Sequence, residues 1–162
     1  MPTYLKKGGD NVIISFCGHA RFVATEEYQC KILSFLEEKV GDGSADFYLG
    51  GYGDFDRFAY VCCKKYKESH PKVSLIFITP YMTVEYQRNH LEEKRKEYDG
   101  IIYPEIEGKP LKYAILYRNK WVVEKSDYIV CAVFHAWGGA YQNYRYAKRK
   151  RKSIFNIAET EF

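Results

Sequence analysis

Short apolar runs alternate with longer amphipathic segments along most of the chain. Continuous apolar runs bounded by glycine, proline or polar residues are typical of strands that are buried on both faces of a sheet. We predict strands over residues 11–18, 45–51, 72–80, 100–104, 128–134 and 153–158. We predict helices over residues 25–40, 54–69, 83–98, 110–126 and 139–150. Strands that alternate with helices in this way are parallel and are joined by right-handed crossovers.

The alternation predicts an α/β fold: a three-layer, Rossmann-like sandwich with a mainly parallel sheet. A chain of 162 residues can bury a substantial core. No linker, repeat or low-complexity tract divides it, so we expect a single domain over residues 1–162.

Several observations bear on where the protein works. No apolar run approaches the roughly 20 residues that span a bilayer, and "MPTYLKKGGDN" has no apolar core like that of a secretory signal. The five cysteines are odd in number and lack paired spacing. We interpret them as buried thiols of a reduced, cytoplasmic protein, without a metal site and without a membrane partner.

The segments at the carboxyl ends of the predicted strands differ in composition from those at the amino ends. In a doubly wound sheet, ligands bind beyond the carboxyl ends of the strands. The segments that follow the first, second, third and fifth strands are "GHARF", "GGYGDFDRF", "TPYM" and "HAWGGAYQ", which are rich in glycine, aromatic and charged residues. At the opposite edge the turns are ordinary ones such as "GDGS" and "SHPK". This asymmetry predicts a ligand site at the carboxyl edge.

Glycine turns that open a helix favour an anion, because free backbone amides and the positive end of the helix dipole face it. Two turns fit this description, "GGYGDFD" and "WGGAYQ". The candidate ligand-binding residues at this edge are Gly18, His19, Arg21, Gly50, Gly51, Tyr52, Gly53, Asp56, Arg57, Pro80, Tyr81, Arg118, Asn119, His135, Gly138, Gly139, Ala140 and Tyr141.

The candidate side chains each have an alternative role. Asp54 and Asp56 suit ribose hydroxyls, catalysis or, for Asp54, the cap of the second helix. Arg118, in a mostly apolar helix, needs an anionic partner, which is either a ligand or a structural salt bridge. The aromatic residues can stack on a base or belong to the core; they are Tyr52, Tyr81, Phe134, Trp137 and Tyr141.

Several enzyme motifs are missing. The first turn, "GHARF", is not the dinucleotide fingerprint G-x-G-x-x-G, and no G-x-x-x-x-G-K-S/T phosphate loop occurs. The chain also lacks G-x-S-x-G, C-x-x-C and H-E-x-x-H. These absences exclude a P-loop NTPase and give no sign of a bound cofactor.

Five segments in order resemble the SLOG superfamily, and within it the small stand-alone YpsA-like proteins of Gram-positive bacteria and their phages. The segments are "VIISFCGHARF", "FYLGGYGDFDRFA", "LIFITPYM", "KYAILYRNKWVVEKSDYIVCAVFH" and "WGGAYQNYRYAKRKRKSIFNI", within residues 11–158. The superfamily also includes the LOG phosphoribohydrolases, DprA and sensor domains of antiphage defence effectors. The resemblance implies a Rossmann-like fold, often dimeric, that binds a nucleotide-type ligand at the carboxyl edge.

The resemblance also implies which part of the LOG site is kept. The LOG motif is P-G-G-x-G-T-x-x-E, and its double glycine matches Gly138 and Gly139 in "WGGAYQNYR". Arg145 stands where the family has its catalytic glutamate, while Arg118 matches a family arginine before the fifth strand. The resemblance therefore implies phosphate binding without the LOG catalytic acid.

Three functions stay open. The first is a sensor or sequestering protein that binds a nucleotide-derived small molecule, as a homodimer or higher homo-oligomer and without a cofactor. The second is a hydrolase or transferase of N-glycosidic bonds in nucleosides or nucleotides, with Asp54 or Asp56 as the catalytic carboxylate. The third is a DNA-binding protein related to DprA that uses the basic run "KRKRK" at 148–152, which is otherwise a solvated helix end.

Overall fold

The computed structural model describes residues 11–106 and 108–162. Residues 1–10, on which the argument against a secretory signal depends, and residue 107 lie outside the described residues. The strands are β1 (Val12–Gly18), β2 (Ala45–Leu49), β3 (Val73–Ile78), β4 (Gly100–Ile102), β5 (Tyr128–Ala132) and β6 (Ser153–Asn156). The helices are α1 (Glu26–Val40), α2 (Gly53–Lys67), α3 (Val84–Tyr86), α4 (Glu92–Glu97), α5 (Ala114–Lys125) and α6 (Gly139–Arg149).

The six strands form one sheet in the order β4-β3-β2-β1-β5-β6. Every neighbouring pair is parallel. Helices α1 and α2 pack on one face of the sheet, and α5 and α6 pack on the other. The predicted α/β fold, a Rossmann-like sandwich with a parallel sheet, is confirmed. Strands β2, β3 and β4 follow one another on one side of β1, and β5 and β6 lie on its other side. The strand order therefore reverses between β1 and β5.

Residues alternate between the two faces of the sheet, as the period of a strand requires. In β1, Ile14 and Phe16 belong to the core under α1 and α2, while Cys17 packs against the cluster under α6. Burying one large apolar side chain of this kind contributes about 1.5–3 kcal/mol. Ser15 also faces the α5 side, where the Ser126 hydroxyl donates a hydrogen bond of 2.7 Å to its hydroxyl. The hydroxyls therefore pair with each other instead of remaining unsatisfied in the core.

Helix α2 begins one residue earlier than predicted, at Gly53, and Asp54 is not its cap. The Asp54 carboxylate instead accepts the Phe22 backbone N–H at 3.3 Å, which ties the turn after β1 to the start of α2. Asp56 accepts the N–H of the N-cap residue, Tyr52, at 2.9 Å. The capping prediction for Asp54 is therefore wrong, because the nearest donor to its carboxylate lies on another segment.

Two predicted helices are less regular than their sequence patterns suggest. The segment 83–98 is interrupted by a π-helical turn at Gln87–Leu91, between α3 and α4. The segment 110–126 opens with a 3₁₀ turn at Leu111–Tyr113 before α5 begins. Strands β2, β3, β4, β5 and β6 end sooner than predicted, because their last predicted residues already belong to the loops that follow the carboxyl ends of the strands.

The cysteine prediction is only partly confirmed. Cys62, Cys63 and Cys131 are buried and Cys17 is half-buried, but Cys30 is exposed. Cys30 lies on the solvent side of α1, whose buried positions are Ile32, Leu36 and Val40. Within residues 11–106 and 108–162, no helix has the length and apolar character needed to cross a membrane.

Candidate functional site

A cleft of about 770 Å³ opens at the carboxyl ends of β1 and β5. It lies where the strand order reverses, which is the usual ligand position in open α/β sheets, and its volume lies in the range of small-molecule sites. The candidate residues that line it are Gly18, His19, Arg21, Gly50, Tyr52, Gly53, Asp56, Arg118, Asn119, His135, Gly138, Gly139 and Ala140. The structure therefore brings together the turns after β1, β2 and β5.

Other candidates lie outside this cleft; they are Gly51, Asp54, Arg57, Pro80, Tyr81 and Tyr141. Pro80 and Tyr81 line a separate cleft of about 390 Å³. The Tyr141 ring packs edge-to-face against Phe162 at 5.3 Å between centroids. The Asp54 and Arg57 residues are exposed. Asp54 and Asp56 are two residues apart on α2, so their side chains diverge, and only Asp56 reaches the cleft.

Arg118 on α5 is the most unusual residue of the cleft. Only 6% of its surface is exposed, and its Nη1 donates a hydrogen bond of 2.8 Å to the Ile78 carbonyl at the end of β3. Its Nε is buried without a hydrogen-bond partner among the described residues. Burial lowers the pKa of Arg118, and the nearby Asp56 opposes that shift. The guanidinium nevertheless stays charged, because arginine is not deprotonated in proteins. The cleft thus contains a buried cation whose donors are not all used.

Asp56 lies close to Arg118, and both side chains approach Gly50. A Cβ at Gly50 would be 3.0 Å from Arg118 Nη1 and 3.1 Å from Asp56 Oδ2, so a side chain there would displace both groups. Burial raises the pKa of Asp56 to about 6, although the Tyr52 N–H and the Arg118 charge both lower it. Asp56 is the one acidic residue that lines the described cleft.

The amino end of α6 faces the cleft through Gly138, Gly139 and Ala140. Gly138 is the N-cap residue, has a φ of 92°, and makes no side-chain cap hydrogen bond. A left-handed φ of this kind strains any residue with a Cβ, which explains a glycine here. The first turn of α6 contains no acidic residue, whereas the first turn of α2 contains Asp54 and Asp56. The positive end of the α6 dipole is therefore the one left without a counter-charge.

Three aromatic rings form a stack at the rim of the cleft. The His19 and His135 rings stack with centroids 3.5 Å apart, and the His135 and Trp137 rings stack at 3.7 Å. His19 is buried, and its Nε2 accepts the Phe134 N–H at 3.2 Å. Burial and the neighbouring His135 lower the pKa of His19. The outer member, Trp137, is 68% exposed, so its free face is available for stacking.

Sequence reasoning missed Tyr86, Asn143 and Ile115. The Tyr86 hydroxyl on α3 hydrogen-bonds to the hydroxyl of Tyr52, whose ring centroid is 5.8 Å from the Arg118 guanidinium carbon. Asn143 and Ile115 both line the cleft. Helical spacing could have found these two, because Asn143 lies one turn after Gly139 and Ile115 one turn before Arg118. No sequence signal links Tyr86 to Tyr52.

The basic run 148–152 lies at the end of the sheet opposite the cleft, near the amino ends of the strands. It ends α6 and leads directly into β6, so it is near the amino ends of the parallel strands. Lys148 Nζ donates to the Phe162 carbonyl at 2.8 Å, and Lys152 Nζ donates to the Glu124 and Ser126 carbonyls at 2.9 and 3.1 Å. Part of this run therefore holds neighbouring backbone in place.

The chain matches no protein-family model and no curated protein. Two solved structures of DNA processing protein A (DprA) are similar to it. The Helicobacter pylori protein, described for its single-stranded DNA binding mode, is 20% identical with a TM-score of 0.58; the match covers 90% of this chain and 64% of that chain. The Streptococcus pneumoniae protein is 12% identical with a TM-score of 0.61, and the match covers 90% and 50%.

These likenesses show the fold: the chain has a DprA-like, Rossmann-type fold. The chain spans less than two thirds of either solved DprA chain. At this level of identity the match does not transfer a ligand.

Proposed function

We propose that the cleft binds a nucleotide-type ligand through its phosphate. The observation that carries this proposal is the buried guanidinium of Arg118, whose Nε has no partner among the described residues. A buried charge is costly unless it is paired, so a site of this kind is completed by an anion. Arginine also matches the geometry of phosphate oxygens better than lysine does.

Two further features support a nucleotide over a simple anion. The amino end of α6 adds free amides and a partial positive charge of about +0.5. The exposed face of Trp137 at the rim suits a base, because every base has a π face on which an aromatic ring can stack. The protein acts in this proposal as a sensor or a sequestering protein for a nucleotide-derived small molecule.

Calorimetric titration with a panel of nucleotides tests the proposal. We expect at least one nucleotide to bind the wild-type protein, and Arg118→Met to weaken it roughly 10- to 100-fold, the worth of a hydrogen bond to a charged group. Arg57→Gln is the matched control, because Arg57 is exposed and lies outside the cleft. Equal affinities of the wild-type and Arg118→Met proteins would contradict the proposal.

A second candidate ligand is single-stranded DNA, with one nucleotide in the cleft. The likeness to DprA supports this candidate more than the first, since the Helicobacter pylori protein binds single-stranded DNA. Phe134 and Trp137 are both exposed at the rim and could continue a stacking surface along a strand. Titration of an oligodeoxynucleotide at several salt concentrations separates the candidates, because strand binding weakens steeply with salt through counterion release.

Hydrolysis of an N-glycosidic bond would depend on Asp56. Asp54 lies outside the cleft, so the described residues supply one carboxylate there and not two. Arg145, at the position of the LOG glutamate, is exposed and also outside the cleft. Release of free base from a nucleotide panel, abolished by Asp56→Asn, would support this third candidate.

We also propose that the chain is a YpsA-like member of the SLOG superfamily and forms one nucleotide-binding domain of a cytoplasmic protein. The support is the ordered series of segments, with the double glycine Gly138–Gly139 at the start of α6. We propose a homodimer because α5 and its preceding turn expose large apolar side chains, namely Leu111, Tyr113, Ile115 and Leu116. Light scattering after size-exclusion chromatography tests the dimer, and a monomer mass would contradict it.

A further inference from the structure

The Asp56 carboxyl has unused capacity to accept hydrogen bonds. Its Oδ2 accepts the Tyr52 N–H at 2.9 Å, and this is its one hydrogen bond among the described residues. Arg118 Nη1 also lies near Gly50, but within the described chain the two groups do not form an ion pair. An ionised carboxylate has about four acceptor positions. Asp56 in the cleft therefore lacks most of the donors that water would give it.

This shortage restricts what can lie next to Asp56. A phosphate brings only negative charge and acceptors, so it is repelled there and is held instead by Arg118 and the amino end of α6. A group that donates hydrogen bonds without carrying a negative charge fits this place. In a nucleotide, the groups of this kind beside the phosphate are the free hydroxyls of the sugar.

We infer that Asp56 accepts hydrogen bonds from the 2′- and 3′-hydroxyls of the bound sugar, which makes the ligand a free ribonucleotide. This inference rests on the proposed binding of a nucleotide in the cleft. A nucleotide inside a DNA strand has no 2′-hydroxyl, and its 3′-oxygen is esterified, so its sugar offers Asp56 no donor. The 2′-hydroxyl is the group by which proteins distinguish ribonucleotides from deoxyribonucleotides.

The ionisation of Asp56 gives a second way to test the contact between its carboxylate and the sugar hydroxyls. Burial raises its pKa to about 6 in the described structure, so the carboxylate dominates at pH 7.5 and the protonated acid dominates at pH 5.0. Hydroxyl donors stabilise the carboxylate form. The preference for the ribonucleotide should therefore be large at pH 7.5 and smaller at pH 5.0. Because the phosphate is the same in a ribonucleotide and its dideoxy counterpart, its own titration cancels from the affinity ratio.

Calorimetric titration tests the inference with the four common ribonucleoside 5′-monophosphates and their 2′,3′-dideoxy counterparts. For the base that binds best, we expect the wild-type protein to prefer the ribonucleotide roughly 10- to 100-fold at pH 7.5. We expect the ratio to fall about five- to tenfold, to roughly 2- to 10-fold, at pH 5.0, because only about a tenth of Asp56 is then ionised and the protonated acid is a weaker acceptor.

Variants at the start of α2 provide the matched controls. Asp56→Asn should bind both nucleotides with a ratio near one at both pH values, while Asp54→Asn, outside the cleft, should keep the wild-type ratio. If Asp56→Asn does not fold, the ratio of ribonucleotide to dideoxynucleotide affinity of the wild-type protein and its pH dependence are sufficient to test the inference. Equal binding of the ribo and dideoxy forms to the wild-type protein at pH 7.5 overturns the inference and leaves the nucleotide site standing. Binding of neither form overturns the proposed function.

Discussion

Arg118 and Asp56 are opposite charges placed close together in the cleft without a direct ion pair among the described residues. A structural salt bridge, the ordinary role of a buried arginine, would have used the Nε that remains without a partner. Gly50 leaves room for both groups, because a Cβ at that position would lie 3.0 Å from Arg118 Nη1 and 3.1 Å from Asp56 Oδ2. We therefore propose two separate positions in the cleft, with Arg118 binding an anion and Asp56 accepting hydrogen bonds from donors.

Asp56→Asn should make the protein more stable at neutral pH. The pKa of Asp56 is raised from 3.8 to about 6 by burial, so the folded state binds the proton more tightly than the unfolded state. The wild-type free energy of unfolding should therefore fall as pH rises from about 4 to about 6. The gain from Asp56→Asn should be on the order of 1–3 kcal/mol at pH 7.5 and absent at pH 4.

Urea denaturation of both proteins at pH 4 and pH 7.5 measures this gain. Asp42→Asn changes the same charge at an exposed position outside the cleft and serves as the control. A loss of stability in Asp56→Asn at pH 7.5 would mean that the carboxylate helps to hold the fold, against its assignment to the ligand.

Gly18→Ala should destabilise the fold, whereas Gly139→Ala should not. A Cβ at Gly18 would lie 2.3 Å from the ring of Phe55, which is fully buried and has no room to move. Overpacking of this kind costs about 1–3 kcal/mol. A Cβ at Gly139 meets nothing within 4 Å, and alanine favours a helix over glycine by up to about 1 kcal/mol. Thermal unfolding of the two variants checks the contrast, and equal losses would contradict it.

The residues of the cleft could be predicted from the sequence only in part. The glycine turns, Arg118 and Asp56 were identifiable because glycine and buried charge are unusual after an apolar strand or within an apolar helix. The spacing of Asp54 and Asp56 indicated that they diverge, but not which of them faces the ligand side. The bond between the Tyr52 and Tyr86 hydroxyls joins residues 34 positions apart, and local sequence patterns contain no such information.

At the scale of elements, the amino ends of α2 and α6 differ in a way that decides where an anion can bind. Helix α2 has its own acids, Asp54 and Asp56, in its first turn. Helix α6 has none in its first turn, and its N-cap glycine provides no side-chain acceptor. The two helix starts are alike in glycine content but differ in charge, and of the two we propose α6 as the one whose dipole favours a phosphate.

Ala140→Asp should raise the stability of the fold and lower its affinity for the nucleotide. An acid in the first turn of α6 should stabilise the helix by about 0.3–1 kcal/mol through the dipole. The same charge would occupy the position of the phosphate, so we expect nucleotide affinity to fall at least about tenfold, or about 1.4 kcal/mol. Ala140→Asn, similar in size and uncharged, is the control and should bind much more tightly than Ala140→Asp. Unchanged affinity in Ala140→Asp would show that the phosphate lies elsewhere.

The elements themselves were largely predictable. Six apolar runs marked the six strands, because strands buried on both faces need continuous apolar sequence. The π-helical turn at Gln87–Leu91 could not be predicted, since the polar sequence of that segment fits a regular helix equally well. The predicted cap at Asp54 failed for a similar reason, because its hydrogen bond is to Phe22 on a distant segment.

In the molecule as a whole, the cleft lies at the carboxyl ends of the parallel strands and the basic run lies at their amino ends. The order β4-β3-β2-β1-β5-β6 reverses between β1 and β5, and the cleft opens there. This order could not be predicted from periodicity, because any of the apolar runs would fit an interior position. The likeness to DprA in fold covers 90% of the chain and agrees with the Rossmann-type prediction.

Neutralising the basic run should leave ligand binding almost unchanged. Arg149→Gln combined with Lys150→Gln removes two exposed charges from the edge opposite the cleft. At about 0.15 M ionic strength, charges separated by more than roughly 8 Å are largely screened from each other. We therefore expect less than about a threefold change in nucleotide affinity. Titration at that ionic strength checks this, and a tenfold loss would place the ligand at the basic run.

We propose that the nucleotide phosphate binds between Arg118 and the amino end of α6. A crystal structure of the protein with the ribonucleoside 5′-monophosphate that binds best would locate the phosphate. We predict the phosphate within hydrogen-bonding distance of the Arg118 guanidinium and of first-turn amides of α6, with the sugar hydroxyls at Asp56. A phosphate bound at the basic run 148–152, or in the cleft without contact to Arg118, would contradict the claim.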